Sequence, residues 1–415
     1  MTTVDSHAAS TSQKRGLRAG FWIVAYAFLI VMAFSTLPSP LYGLYRVRDH
    51  LSSLMITVIY GIFAASTIAT LMVVQRIAAR IGRRGVMITS IVTMMTAAGV
   101  LAAWKALPGL LIGRLITGVA SGLAAGTAIT YLLELRLRAD PKASIGRART
   151  IGTSVNVGAN GVGPLLAGLL AQWGKLQLTL PYLVILGLGA IALGSLWVVP
   201  ETGAPMPHPA PHPEIHPTGP RTARLPIPAA AGTAAAFSAN GLFAGLSGLF
   251  LATTFHRTSH ALAGATLFLV FGSGVVSQLV TAKLQASRVL LIGTFSMLAG
   301  LVLLVVSVRL TIPNLALFLV GGALIGAGSG AVFKGTTGIV LETSAPENRL
   351  HMTADLLIAL FAGLSVPVVG AGIALNQGAS SSNTVLGFAI LVALGVSVSG
   401  WALIGRRPKG SERAS

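Results

Sequence analysis

The sequence predicts an all-α membrane protein whose twelve transmembrane helices form two six-helix bundles. Three observations lead there. Of 415 residues, 53% are hydrophobic and only 9% are charged, with a mean hydropathy of +0.80. A soluble domain carries about 25% charged residues, so most of this surface must face lipid. Apolar runs long enough to cross a hydrocarbon core, about 20 residues, recur along the chain. A proline-rich stretch divides those runs six and six.

The runs fall near 20–42, 53–75, 86–104, 107–133, 150–172 and 179–199, then 227–251, 261–282, 289–308, 312–340, 353–376 and 384–404. The first follows a polar, basic tail (1–19) with no cleavable signal pattern, so it is expected to remain as an anchor. The fourth and tenth are long, and must tilt or project beyond the bilayer. The 49 glycines argue for close helix packing, where small residues let backbones approach. Trp22, Trp104, Trp173 and Trp197 stand near span ends, as an aromatic belt requires.

Residues 203–226 form a Pro/His-rich linker between the halves, 20–202 and 227–405, and 406–415 form a basic tail. His208, His212 and His216 lie in that linker, where the prolines keep them off a common helical face. A solvated linker fits better than a metal site, and neither metal nor cofactor is expected. The absence of cysteine removes disulfides and thiol chemistry.

Net charge is +19. Arg46, Arg48, Lys105, Lys175, Arg257 and Arg309 fall in connectors on one side, Arg114 and Lys334 inside spans, and the remaining cations on the other side with both termini. Positive charge marks the cytoplasmic face, which places the protein in the inner or plasma membrane with both termini cytoplasmic. Cations confined to short connectors do not make a nucleic-acid surface.

The halves echo one another. Gly118, Gly122 and Glu134 repeat as Gly326, Gly330 and Glu342 at identical spacing. Arg147 precedes Pro164 much as Arg349 precedes Pro367. This order indicates two parallel repeats.

At these residues the chain resembles the major facilitator superfamily, in particular its twelve-helix bacterial drug/proton antiporter-like members. The connector "QRIAARIGRRG" resembles the family's loop signature through Arg80, Gly82, Arg83 and Arg84, with Gln75 and Ala79 replacing its first Gly and its Asp. That Asp belongs to a charge network at the cytoplasmic gate, so the resemblance implies a latch that here lacks one acid. "RLITGVASG" is similar to the family's fourth-helix arginine signature. "GVGPLLAG" is similar to its exporter signature through Gly163, Pro164 and Gly168. "VVPET", "APENRLHMTAD" and "STLPSPLYGLY" match further family positions.

Arg114 is a permanent cation in an apolar helix, costly unless paired or facing water. It either faces the central cavity or ties its helix to a neighbour's carbonyls. Asp355 is the expected proton-titrated group, with Lys334 as its partner across helices. Glu134 and Glu342 end their helices near Arg147 and Arg349, where they either hold a gate or are solvated. Tyr26, Asn156, Asn160, Phe237, Asn240 and Gln278 are candidates for the substrate cavity, with interhelical bonding as the alternative for the amides. The Gly-rich fifth helix either seals against the opposite half or simply packs.

The expectation is a non-enzymatic, monomeric secondary transporter exchanging protons for a small lipophilic compound by alternating access. Metabolite uptake is the alternative, since the first helix lacks the acid found in many antiporters of the family. A membrane sensor or scaffold comes next, disfavoured because no signalling domain is attached. No catalytic dyad or phosphate-binding loop is present.

Overall fold

A computed structural model describes residues 2–202, 224–345 and 348–405, and among these it contains helices and connectors without strands. In chain order these are α1 Thr2–Thr36, a one-turn 3-10 helix Ser39–Leu41, α2 Tyr42–Asp49, α3 Ser53–Ala103, α4 Leu107–Ala139, α5 Ile145–Trp173 and α6 Leu180–Leu196. They continue as α7 Ile227–Thr253, α8 His260–Val280, α9 Ala286–Arg309, α10 Leu315–Thr343, α11 Arg349–Asn376 and α12 Ser381–Gly405. Ten helical segments are long and apolar enough to cross a membrane. One of these, α3, holds two passes, and the shorter apolar α6 adds another. The described passes therefore number twelve.

Three local differences from the sequence reading have simple causes. The second and third passes are two helices that meet without a loop between them at Gly82, whose φ 77° and ψ 170° are not helical. The first pass stops at Thr36 because Pro38 and Pro40 cannot continue it, and the chain turns into the short α2. Tyr42 and Tyr45 bury one face of α2, and His50 ends it in the left-handed region at φ 51°. Residues 2–19, expected as a tail, extend α1, since no proline interrupts them. Most of the linker, with His208, His212 and His216, and the 406–415 tail lie outside the described residues.

Helices α1 and α3–α6 pack with one another, as do α7–α12, and the groups meet along α5 with α8 and α3 with α11. Lipid gives helices no hydrophobic drive to associate, so contact depends on close backbone approach. The repeated glycines provide it. A Cβ on Gly118 would lie 2.3 Å from the Phe63 carbonyl of α3, and one on Gly122 2.9 Å from that of Thr67. In the second half, one on Gly326 would meet the Val270 carbonyl of α8 at 1.8 Å, and one on Gly330 that of Gly274 at 2.4 Å. Trp104, Trp173 and Trp197 are exposed at helix ends, and Trp22 is exposed within α1. For orientation, the end carrying the Gly82 bend and the α4–α5, α8–α9 and α10–α11 connectors is called the basic end.

Candidate functional site

At mid-depth the two groups enclose a cavity. Met32 and Thr36 of α1, Tyr60 and Phe63 of α3, and Asn156, Val157 and Asn160 of α5 line one wall. Phe237, Phe271, Leu360, Phe361 and Leu364 line the other. The enclosed volume is about 20 Å³, room for about one water, against the roughly 300–1,000 Å³ of occupied ligand sites. The Phe63 and Phe361 rings meet edge-on across it, with centroids 6.1 Å apart. Of the cavity residues expected from sequence, Asn156, Asn160 and Phe237 are there.

The other three are not. The Tyr26 hydroxyl donates to the Leu188 carbonyl of α6 at 3.2 Å, on the far side of α1. Asn240 is buried and accepts from the Ser329 hydroxyl at 3.1 Å within its own half. Gln278 is buried; its backbone carbonyl accepts from Lys334 at 2.6 Å, while its side-chain Nε2 has no protein partner. The Tyr26 and Asn240 side chains bind helix to helix. Asn160 combines both roles: it accepts from Ser35 at 2.9 Å, donates to the Asn156 carbonyl at 2.5 Å, and borders the cavity. The Asn156 side-chain oxygen has no protein partner, leaving an acceptor at the wall.

Arg114 is fully buried one layer behind that wall. Its Nη1 donates to the Ser35 carbonyl at 2.6 Å. Ser35 lies in the last turn of α1, where carbonyls lack helical partners and the helix dipole favours a cation. The guanidinium carbon stands 4.4 Å from the Phe63 ring centroid and 5.8 Å from that of Tyr60. Of the two positions open to Arg114 from sequence, this conformer shows the tie to a neighbouring carbonyl, not a water-facing one.

The expected Asp355–Lys334 pair is not formed. Lys334 turns towards α8, adding a 3.3 Å contact with the Thr281 hydroxyl, while Asp355 is half-buried near the start of α11. Carbonyls of the neighbouring helix are nearer to Lys334 than the acid on the other side. Glu342 is exposed, and the ion pairs within the described residues are Arg48–Asp49 and Arg83–Glu134. A Glu342–Arg349 pair is thus absent among them, and the Arg147 side chain lies outside the described set.

The basic end of the first half is knotted by an acid the sequence reading passed over. Glu201, in the "VVPET" stretch, accepts from the backbone N–H groups of Arg83 at 2.9 Å and Arg84 at 3.0 Å. The positive φ of Gly82 aims both groups at one anion, a backbone nest. A Cβ there would lie 2.5 Å from the Glu201 carboxylate, so glycine is required twice over. Glu134 meets Arg83 at 3.5 Å and accepts from the Thr202 hydroxyl at 2.5 Å. Gln75, where the resembling signature has Gly, donates to the Gly126 carbonyl at 2.9 Å. Arg80 carries no hydrogen bond or ion pair among these contacts, whereas Arg84 lies 5.6 Å from the Trp197 ring.

At the opposite end the groups are joined. Gln172 of α5 accepts from the His260 backbone at 2.9 Å and the Ser259 hydroxyl at 3.1 Å. Along the same line, a Cβ on Gly168 would lie 2.4 Å from the His260 carbonyl, and one on Gly264 2.4 Å from that of Pro164. Gly163 instead abuts the Ala33 carbonyl of α1. The "GVGPLLAG" stretch thus presses on both α1 and α8.

A family model described as Major Facilitator Superfamily matches residues 23–287. No curated protein matches the sequence. Among solved structures the chain is similar to a mutant of the nucleoside transporter NupG, over 93% of this chain and 99% of that chain, with a TM-score of 0.65 and 12% identity. That identity speaks for the fold alone. The apolar passes, the paired glycine registers, the cavity between the halves and the family match together place this chain in the major facilitator superfamily.

Proposed function

We propose that the chain is a secondary active transporter that moves a small, lipophilic organic compound by alternating access and exports it in exchange for protons. The observation that carries this reading is the cavity between the halves, walled by aromatic and aliphatic side chains with two amides and no acid among its lining residues. Such a wall suits a compound held by shape and a few hydrogen bonds. Separating α5 from α8 and α3 from α11 enlarges the space, and closing the basic end in return exposes it to the other side. The glycine-faced α5 supplies the sliding surface, and the end bonded through Gln172 is sealed in the present conformer.

Protons enter this reading through Asp355, beside the basic end of α11. Its protonation removes a charge from the region that must close, shifting the balance between the two conformations. The termini, in this reading, face the cytoplasm, because the basic connectors share their side.

Uptake is the second reading, favoured by a first pass (20–42) without an acid and by the fold shared with a nucleoside transporter. Purified protein in liposomes, given an imposed pH gradient and a panel of labelled compounds, decides between them. Export requires flux against the proton flow, uptake requires flux with it, and no flux in either direction would leave a non-transporting protein.

A further inference from the structure

We propose that Arg114 is the receptor for a singly charged anion, and that the carried compound supplies it as a carboxylate. This rests on the transport reading above and names its substrate class. The argument starts from an unbalanced charge. Arg114 is fully buried, with Nη1 committed to the Ser35 carbonyl. Nε and Nη2 have no protein partner. These two nitrogens form one edge of the guanidinium, the edge that takes both oxygens of a carboxylate at once.

No resident acid stands ready to fill it. The sequence has no Asp or Glu from 6 to 48, from 50 to 133 or from 141 to 200, so the membrane interior of the first half holds a cation and no anion. A carbonyl and two ring faces ease the cost of burial but leave the charge uncancelled. The hydroxyls of Tyr42 and Tyr60 are also buried without partners, and both lie within electrostatic reach of Arg114. They are spare donors beside an unfilled fork.

Access follows from the same rings. Tyr60 and Phe63 cover the guanidinium and also line the cavity. Phe63 in addition touches Phe361 of the other half. When the halves part, Phe63 loses that support, and the fork is uncovered to whatever occupies the cavity. A lipophilic organic acid then meets its apolar body with the aromatic wall and its carboxylate with Arg114.

The test uses purified full-length protein. Its melting temperature is measured while sodium chloride or sodium acetate replaces sodium HEPES at constant ionic strength. The expected result is a saturable rise of about 3 °C or more with either anion, absent in Arg114→Gln. If that variant does not fold, Tyr60→Phe keeps the cation and should shift half-saturation several-fold to higher anion. A wild-type response that is flat, or non-saturating and equal in the variant, overturns the proposal and signals that water satisfies the fork. Liposome flux of matched carboxylic acids and their methyl esters then identifies the source. Acid-selective flux inhibited by chloride supports the cargo; equal ester flux, insensitive to chloride, overturns it in favour of free halide. Saturable melting shifts without any flux would defeat the transport reading while leaving the anion site standing.

Discussion

Helices α4 and α10 hold matching places in the two halves and are filled differently. Gly118 and Gly122 seat α4 on α3, and Gly326 and Gly330 seat α10 on α8. Four residues before the first glycine of each pair the halves part company: α4 has Arg114, α10 has Gly322. A Cβ on Gly322 would lie 3.0 Å from the Phe243 ring, which packs against Phe318 at 5.2 Å. One half stores a cation where the other stores an aromatic cluster. Backbone contact therefore fixes the frame, and the layer above it is free to specialise. The basic ends differ likewise: Glu134 is engaged by Arg83 and Thr202, while Glu342 is exposed.

The shared frame is the place where substitution should do most harm. Gly118→Val and Gly330→Val each drive a side chain into a neighbouring carbonyl, and should nearly abolish folded protein on size-exclusion chromatography. Gly370→Val, with nothing within 4 Å of its Cβ position, should leave the profile unchanged. Equal harm from all three would show that the registers are not special.

Exchanging the fillings comes next. Gly322→Arg puts a cation against Phe243, and should cost about 3–5 kcal/mol in thermal unfolding. Arg114→Met removes a buried charge, so stability should hold or rise, while transport falls at least about ten-fold. A large loss of stability in Arg114→Met would make the arginine a structural tie and nothing more.

Smaller effects belong to the basic ends. Gly82→Ala should cost about 1–3 kcal/mol, because it strains the backbone and displaces Glu201. Glu134→Gln should cost about 0.5–1 kcal/mol, as its pair is partly solvated, and Glu342→Gln close to nothing. Thermal denaturation in one detergent ranks all three. A Glu342 variant as costly as its Glu134 counterpart would erase the asymmetry.

Much of this molecule could be read before any coordinates. The apolar runs predicted the passes because a lipid-spanning segment must satisfy its backbone internally; α10, expected over 312–340, is Leu315–Thr343. Asn156 and Asn160 stood out as amides in an apolar run, and both line the cavity. Tyr26 and Asn240 stood out equally and do not, since helical phase, not residue type, decides which face meets the gap. Phe63 and Phe361 gave no signal, because a phenylalanine in a greasy helix looks the same at a lipid face, in a core or at a gate. Tyr60 and Phe63 do share a face at i and i+3, a hint available only once the partner helix is known. Glu201 was missed because its partners are backbone N–H groups, and their direction depends on one dihedral angle at Gly82.

The bend in α3 has a mechanical corollary. A membrane protein usually joins neighbouring passes by a slack loop, but here two helical passes meet at one non-helical glycine, and a carboxylate holds the two amides that follow it. No slack remains at that corner to absorb displacement, or to offer a protease an extended strand. Tilting one limb must drag the other, so the corner transmits torque as a bracket does, and inserting residues there should uncouple the limbs without unfolding either.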